Sequence, residues 1–126
     1  MFDNRDTIHK YTRTQALADG VLIDASSLAW EAGFRFPVAL TRAAWEKCVA
    51  VPPGVTCQDE TGRLWDVLHM LYAAIRHGEC GPVLSFAVHV RNDNRPRIPP
   101  AVRLKAICGP ADDGSPCITV LLPDED

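Results

Sequence analysis

The apolar positions of the chain change their period about two-thirds of the way along it. Before Gly78 they recur at intervals of three and four, and beyond Pro82 they alternate. Leu64, Trp65, Val67, Leu68, Leu71, Tyr72 and Ile75 form the clearest helical stripe, which Gly78 is expected to stop. The stripe is broad, so this helix is predicted to lie against a sheet in the middle of the core. Upstream, Thr41 is an N-cap candidate for a helix from Arg42 to Ala50, with Ala44, Trp45, Cys48 and Val49 on one face. Pro52-Pro53-Gly54 ends that helix and opens a loop running to Gly62. Earlier still, Thr12 or Thr14 is positioned to cap a short helix through Ala16, Leu17 and Ala18, with Gly20 at its C′ position. Val21-Leu22-Ile23 is a short apolar run bounded by Asp24, and Ser26 or Ser27 opens a helical turn over Leu28–Ala32, closed by Gly33. Phe34-Arg35-Phe36 alternates as a half-buried strand does, and Pro37 keeps it from being a long central one.

In the last third, Leu84, Phe86, Val88 and Val90 alternate with Ser85, Ala87, His89 and Arg91, the pattern of a strand with one face buried. Asn92-Asp93-Asn94-Arg95-Pro96 is a turn on composition. A second alternating strand carries Val102, Leu104, Ala106 and Cys108. A breaker-rich turn from Gly109 to Pro116 then leads into Ile118–Leu122, which Pro123 ends. Three strands joined by short polar loops predict an antiparallel meander. The expected class is therefore α+β, with N-terminal helices packed on a C-terminal three- to four-stranded antiparallel sheet. Residues 1–126 read as a single domain, with about 1–10 and the acidic end Asp124-Glu125-Asp126 expected to be mobile.

Composition changes this picture little. An apolar fraction of 47% and a charged fraction of 23% are those of a globular chain with a self-sufficient core. The net charge of −3 argues against a general nucleic-acid binder, which is strongly basic, and is too mild for a mimic of DNA. Met1-Phe2-Asp3-Asn4-Arg5-Asp6 has no apolar region behind it, as a secretory signal would, and Val67–Ile75 is far short of a membrane span. The expected compartment is the cytoplasm, with no membrane partner. The five cysteines, Cys48, Cys57, Cys80, Cys108 and Cys117, contain no Cys-x-x-Cys pair and are expected to be free thiols. Cys108 and Cys117 flank a predicted hairpin turn, which leaves a disulfide between them open if their Cβ atoms approach to about 4 Å.

Candidate chemistry is sparse. Asp66 and His69 stand three apart on the predicted central helix, close enough to meet, and are read as a local helix contact because no third catalytic member can be identified. His69 and His77 are too far apart for the i, i+4 geometry of a zinc-binding helix, His89 falls on the polar side of a strand, and His9 lies in the N-terminal segment. Neither a Gly-x-Ser-x-Gly elbow nor a glycine-rich phosphate loop occurs. Asp59-Glu60 and Asp112-Asp113 lie in turns, where acids are conformationally expected. No catalytic residue, metal or cofactor is therefore assigned. The tryptophans Trp30, Trp45 and Trp65 sit at apolar helix positions and are expected in the core. Charge is more informative. Arg91, Arg95, Arg97, Arg103 and Lys105 share their stretch with Asp93 alone, whereas everything from Ala106 onward is acidic or neutral. A basic hairpin thus adjoins an acidic one. Arg91, Arg95 and Arg97, with Asp112 and Asp113, are the candidate partner-binding residues. The competing reading is a pair of solvated loops that attract each other.

Four blocks carry a resemblance. They are Tyr11–Asp24, Ala32–Thr41, Gln58–Leu68, and Leu104–Gly114 running into Ile118–Pro123. Together they resemble an uncharacterised family of small proteins carried on bacterial plasmids, integrative elements and prophages, a family without an assigned activity. The resemblance implies a setting in which accessory proteins bind and block host defence complexes, as anti-CRISPR proteins do. The expected function is a non-enzymatic binding protein with a protein partner, possible targets including CRISPR–Cas. The alternatives are a small metal-free ribonuclease using His89, Arg91 and Lys105, or a nucleic-acid-binding accessory factor. The sequence leaves the oligomeric state open.

Overall fold

A computed structural model describes residues 12–77 and 81–125. Its elements are α1 (Arg13–Ala18), β1 (Leu22–Asp24), α2 (Ser26–Glu31), β2 (Val38–Thr41), α3 (Arg42–Cys48), α4 (Glu60–Arg76), β3 (Val83–His89), β4 (Ala101–Pro110) and β5 (Pro116–Leu121). The strands form one five-stranded sheet in the order β1-β2-β5-β4-β3. The class is α+β, as the periods predict, but the sheet is mixed and draws two strands from the N-terminal half. β2 runs parallel to β5, with Leu40 beside Val120, and every other pairing is antiparallel.

Two expectations about the first half are corrected. Phe34-Arg35-Phe36 is not a strand; the strand begins at Val38, directly after Pro37. Val38, Ala39 and Leu40 are all buried, so this central strand shows no alternation to read. Trp30, expected in the core, is 70% exposed on α2, whose buried side is carried by Ala29, with Leu28 and Ala32 packed partly against the core. Trp45 does pack partly against the core. Residues 1–10 and 126 of the ends expected to be mobile, the proposed stop at Gly78, and Cys80 lie outside the described residues.

Local signals set the helix starts. Thr12 makes a reciprocal capping box with Gln15, Thr41 accepts from the Ala44 amide, and the Asp59 side chain accepts from the Gly62 amide at 2.6 Å. Gly20 follows the end of α1 at φ +76, a conformation that a side chain rarely adopts. α4 then buries Leu64, Val67, Leu68 and Leu71 against the sheet face formed by Leu84, Phe86, Leu104, Ala106, Ile118, Val120, Val38 and Leu40. Each such aliphatic side chain contributes roughly 1.5–3 kcal/mol of burial.

Within this apolar layer lies Arg63, which is 5% exposed. Its guanidinium donates to the Cys48 carbonyl at 3.2 Å, the Arg91 carbonyl at 2.5 Å and the Asn92 side-chain oxygen at 2.7 Å. Asn92 in turn donates to the Lys47 carbonyl at 3.2 Å. One side chain therefore ties the end of α3 and the start of α4 to the loop leaving β3. Desolvation lowers the Arg63 pKa, opposed by the charges of Cys48 and Asp66, so the hydrogen-bond set rather than an ion pair holds the cation in place.

The sheet register also decides the cysteine pair. Cys108 stands opposite Ile118 and Cys117 opposite Gly109, so their side chains lie on opposite faces, and both are free thiols.

Replacing Arg63 by Ala strands three acceptors, of which the Cys48 carbonyl lies in a buried contact. Urea unfolding is expected to show a loss of about 2–4 kcal/mol, and Arg63→Lys is expected to recover less than half, because an ammonium cannot fork to three elements. Burial pushes the Cys48 thiol up to about 11, against the smaller opposing effects of Lys47 and Arg63. A maleimide read by peptide mass spectrometry at neutral pH should therefore label exposed Cys57 in the folded protein and Cys48 only after unfolding.

Candidate functional site

An open, mainly apolar groove of about 720 Å³ lies at the end of the sheet where β4 meets β5. Phe34 and Tyr72 form its base, packed edge to face with ring centroids 5.6 Å apart. Gly33, at φ +106, turns the chain out of α2 and lies where a Cβ would rest 3.5 Å from the Tyr72 ring. That turn places Phe34 inward and leaves Phe36 on the rim. Ile75 from α4, Leu84 from β3 and Pro116 from β5 complete the wall. Phe36 is 46% exposed and Ile75 39%, so large apolar groups face solvent here.

The polar content of the groove is small. Arg35 lines it, and the Arg76 guanidinium stands 6.0 Å from the Tyr72 ring centroid. Neither makes an ion pair with a carboxylate among the described residues. Cys108 and Cys117 also line it, the first exposed and the second buried. Desolvation, with a smaller contribution from Cys117, raises the Cys108 pKa, so at neutral pH it stays a protonated, weak nucleophile.

The residues singled out in the sequence lie elsewhere. β4 separates the two charged hairpins, its start carrying the basic loop and its end the acidic turn. Ten residues of strand place them roughly 30 Å apart, so the loops do not attract each other. In the basic loop the Arg91 guanidinium donates to the Arg95 and Arg97 carbonyls, each at 2.6 Å, and Arg97 pairs with Asp93 at 2.7 Å. The Arg95 side chain has no such contact among the described residues. In the acidic turn the Asp112 carboxylate accepts from the Arg13 amide at 2.8 Å, and from the Thr14 amide and hydroxyl at 2.9 and 2.7 Å. Asp113 accepts from the Ser115 hydroxyl and amide at 2.5 and 3.0 Å. Asp93 is held below the usual carboxylate range by the Arg95 amide and then Arg97, and Asp113 by the Ser115 hydroxyl and then its amide. Because both folded-state pKa values are depressed, these loop contacts hold above the ordinary carboxylate pKa and weaken as pH falls through the lowered values.

His89, Arg91 and Lys105 do not converge. His89 pairs across the sheet with Ala101, whereas Lys105 pairs with Ser85, four residues along β3. The His89 ring donates from Nδ1 to the Pro99 carbonyl at 2.7 Å, and the Lys105 ammonium donates to the Glu125 carbonyl. His69 packs edge-on against Trp65 at 4.7 Å instead of meeting Asp66. Among the described residues no group of three or more His, Cys, Asp or Glu side chains could hold a metal ion, and no helix is long and apolar enough to cross a membrane.

The groove is not legible in the sequence because its wall is drawn from five separate segments, residues 33–36, 72–75, 81–84, 108–110 and 114–118. The exposed Phe36 beside Pro37 was its one local trace.

The contacts of Asp112 make it the link between α1 and the acidic turn. Asp112→Ala is expected to lower stability by about 1–2 kcal/mol and to raise the rate of tryptic cleavage after Arg13 several-fold, measured by mass spectrometry on the native protein.

The chain belongs to DUF6573, a family of unknown function, whose match covers residues 1–126. No curated protein and no solved structure matches it.

Proposed function

We propose that the protein acts by binding another protein rather than by catalysis, and that the groove receives an apolar segment of that partner. The observation that carries the reading is the groove itself: about 720 Å³, walled by Phe34, Phe36, Tyr72, Ile75, Leu84 and Pro116, with two of these substantially exposed. Covering such a wall stabilises a complex at about 25 cal/mol per Å² of apolar surface removed from water. Arg35 in the wall, with Arg76 over the Tyr72 ring, favours a segment with an acidic residue beside its apolar ones, because both cations lack an acidic partner among the described residues. The raised Cys108 thiol supports binding over nucleophilic chemistry. The resemblance to small proteins of mobile elements supports a partner drawn from a host defence complex, a CRISPR–Cas effector being the specific case.

Affinity capture from a nuclease-treated bacterial host lysate tests this, with the wild type beside Phe36→Asp, Ile75→Asp and Arg95→Ala. The expected result is a stoichiometric protein partner that falls at least tenfold with either groove variant and is unchanged with Arg95→Ala. Loss with Arg95→Ala alone would transfer binding to the basic loop and overturn the groove. Cleavage of added RNA by the purified protein would overturn the non-catalytic reading.

A further inference from the structure

β3 is an edge strand of unusual openness. It pairs with β4 along all seven of its residues and, among the described residues, has no strand on its other side. The ladder phase follows from one bond, in which the Cys108 amide donates to the Pro82 carbonyl at 2.8 Å. The even-numbered residues of β3 therefore bond inward to β4. Val83, Ser85, Ala87 and His89 turn their amide and carbonyl groups outward. Such a row of groups is a template for another strand, and proteins normally blunt it with lysine, proline, a bulge or a very short edge. The opposite edge, β1, has just three residues and ends in Asp24. β3 has none of these protections between Val83 and His89, and its register runs without interruption.

We propose that this edge pairs antiparallel with the same edge of a second copy of the chain, making one continuous sheet across a two-fold axis at Phe86. The strand's own sequence selects that occupant. With the axis at Phe86, Ser85 stands opposite Ala87 of the copy and Val83 opposite its His89, so every outward-turned residue meets an outward-turned residue. Small side chains face small ones, and Leu84 meets Val88 beside the central pair of phenylalanines. Charge permits the match. The strand carries no formally charged residue at neutral pH, and Arg103, the nearest cation on that face among the described residues, stands on β4 beside Ala87. Two such arginines would lie three strand spacings apart, about 14 Å, beyond a Debye length of about 8 Å. α4, which packs on β3, carries exposed Met70 (44%), an apolar group for the matching helix of the copy. An isologous contact of this kind closes at two copies.

Sedimentation velocity on the full chain from about 1 to 100 μM tests the proposal independently of the groove. The expected wild-type mass is twice the 13.8 kDa of one chain. Ala87→Pro removes an outward amide while leaving the bonds to β4 intact, and Ser85→Lys sets charge on the edge. Each is expected to sediment as a single chain with an unchanged far-UV circular dichroism spectrum, whereas Phe36→Asp should remain a dimer. A monomeric wild type at 100 μM would overturn the proposal and leave the edge to a foreign strand. So would a dimer that persists in folded Ser85→Lys, or one lost in Phe36→Asp.

Discussion

A guanidinium in an apolar layer is tolerated when its donors meet fixed acceptors, and Arg63 meets that condition with two backbone carbonyls and one side-chain amide. The acceptors come from the end of α3 and from the loop after β3, while the cation belongs to the first turn of α4. Helix layer and sheet are thereby held in one relative position by directional bonds, whereas the aliphatic contacts of Leu64, Val67, Leu68 and Leu71 supply burial without direction. The Asn92 bond to Lys47 closes the same joint from the sheet side.

The other face of the sheet is organised by the chain ends. On one flank α1 stands on β5, where the Arg13 guanidinium donates to the Thr119 hydroxyl at 2.6 Å and the Ile118 carbonyl at 2.9 Å, and Asp112 holds the start of the helix. On the other, the Glu125 carboxylate accepts from the Thr41 hydroxyl at 2.7 Å and the Leu122 amide at 2.8 Å, which ties the acidic tail back onto β2. These contacts explain why Ala39, Cys117 and Leu121 are buried although they point away from α4. The covering stops before β3, whose open-face residues Val83, Ser85 and His89 remain exposed.

Most of the conspicuous charge is consequently internal bookkeeping of loops. Arg91, Arg97, Asp93, Asp112 and Asp113 shape the two turns at opposite ends of β4, and the surface they leave for a partner is smaller than their number suggests. The binding reading rests instead on apolar surface at one end of the sheet and, separately, on unpaired backbone at its edge. The two proposals rest on different chemistries, an apolar wall for a protein segment and open backbone for a second copy.

Elements governed by neighbours in sequence were legible in advance. α4, the caps at Thr41 and Gly20, a cap at Thr12 or Thr14, and the β3–β4–β5 meander follow from local period and side-chain chemistry, which act over a few residues. What tertiary structure decided depends on covering by distant chain. β2 is buried on both faces, so it carries no alternation, and its parallel pairing with β5 joins segments some eighty residues apart. A six-residue helix such as α2 has too few turns to say which face turns inward, so Trp30 looked like core and lies in solvent. Nothing in Gly62-Arg63-Leu64 distinguishes a buried arginine from a solvated one, because two of its three acceptors are backbone carbonyls that any sequence possesses and the third is on distant Asn92. The sequence by itself determined the class and the local caps; long-range covering decided the sheet order, the buried cation and the groove, since burial is a property of the whole fold.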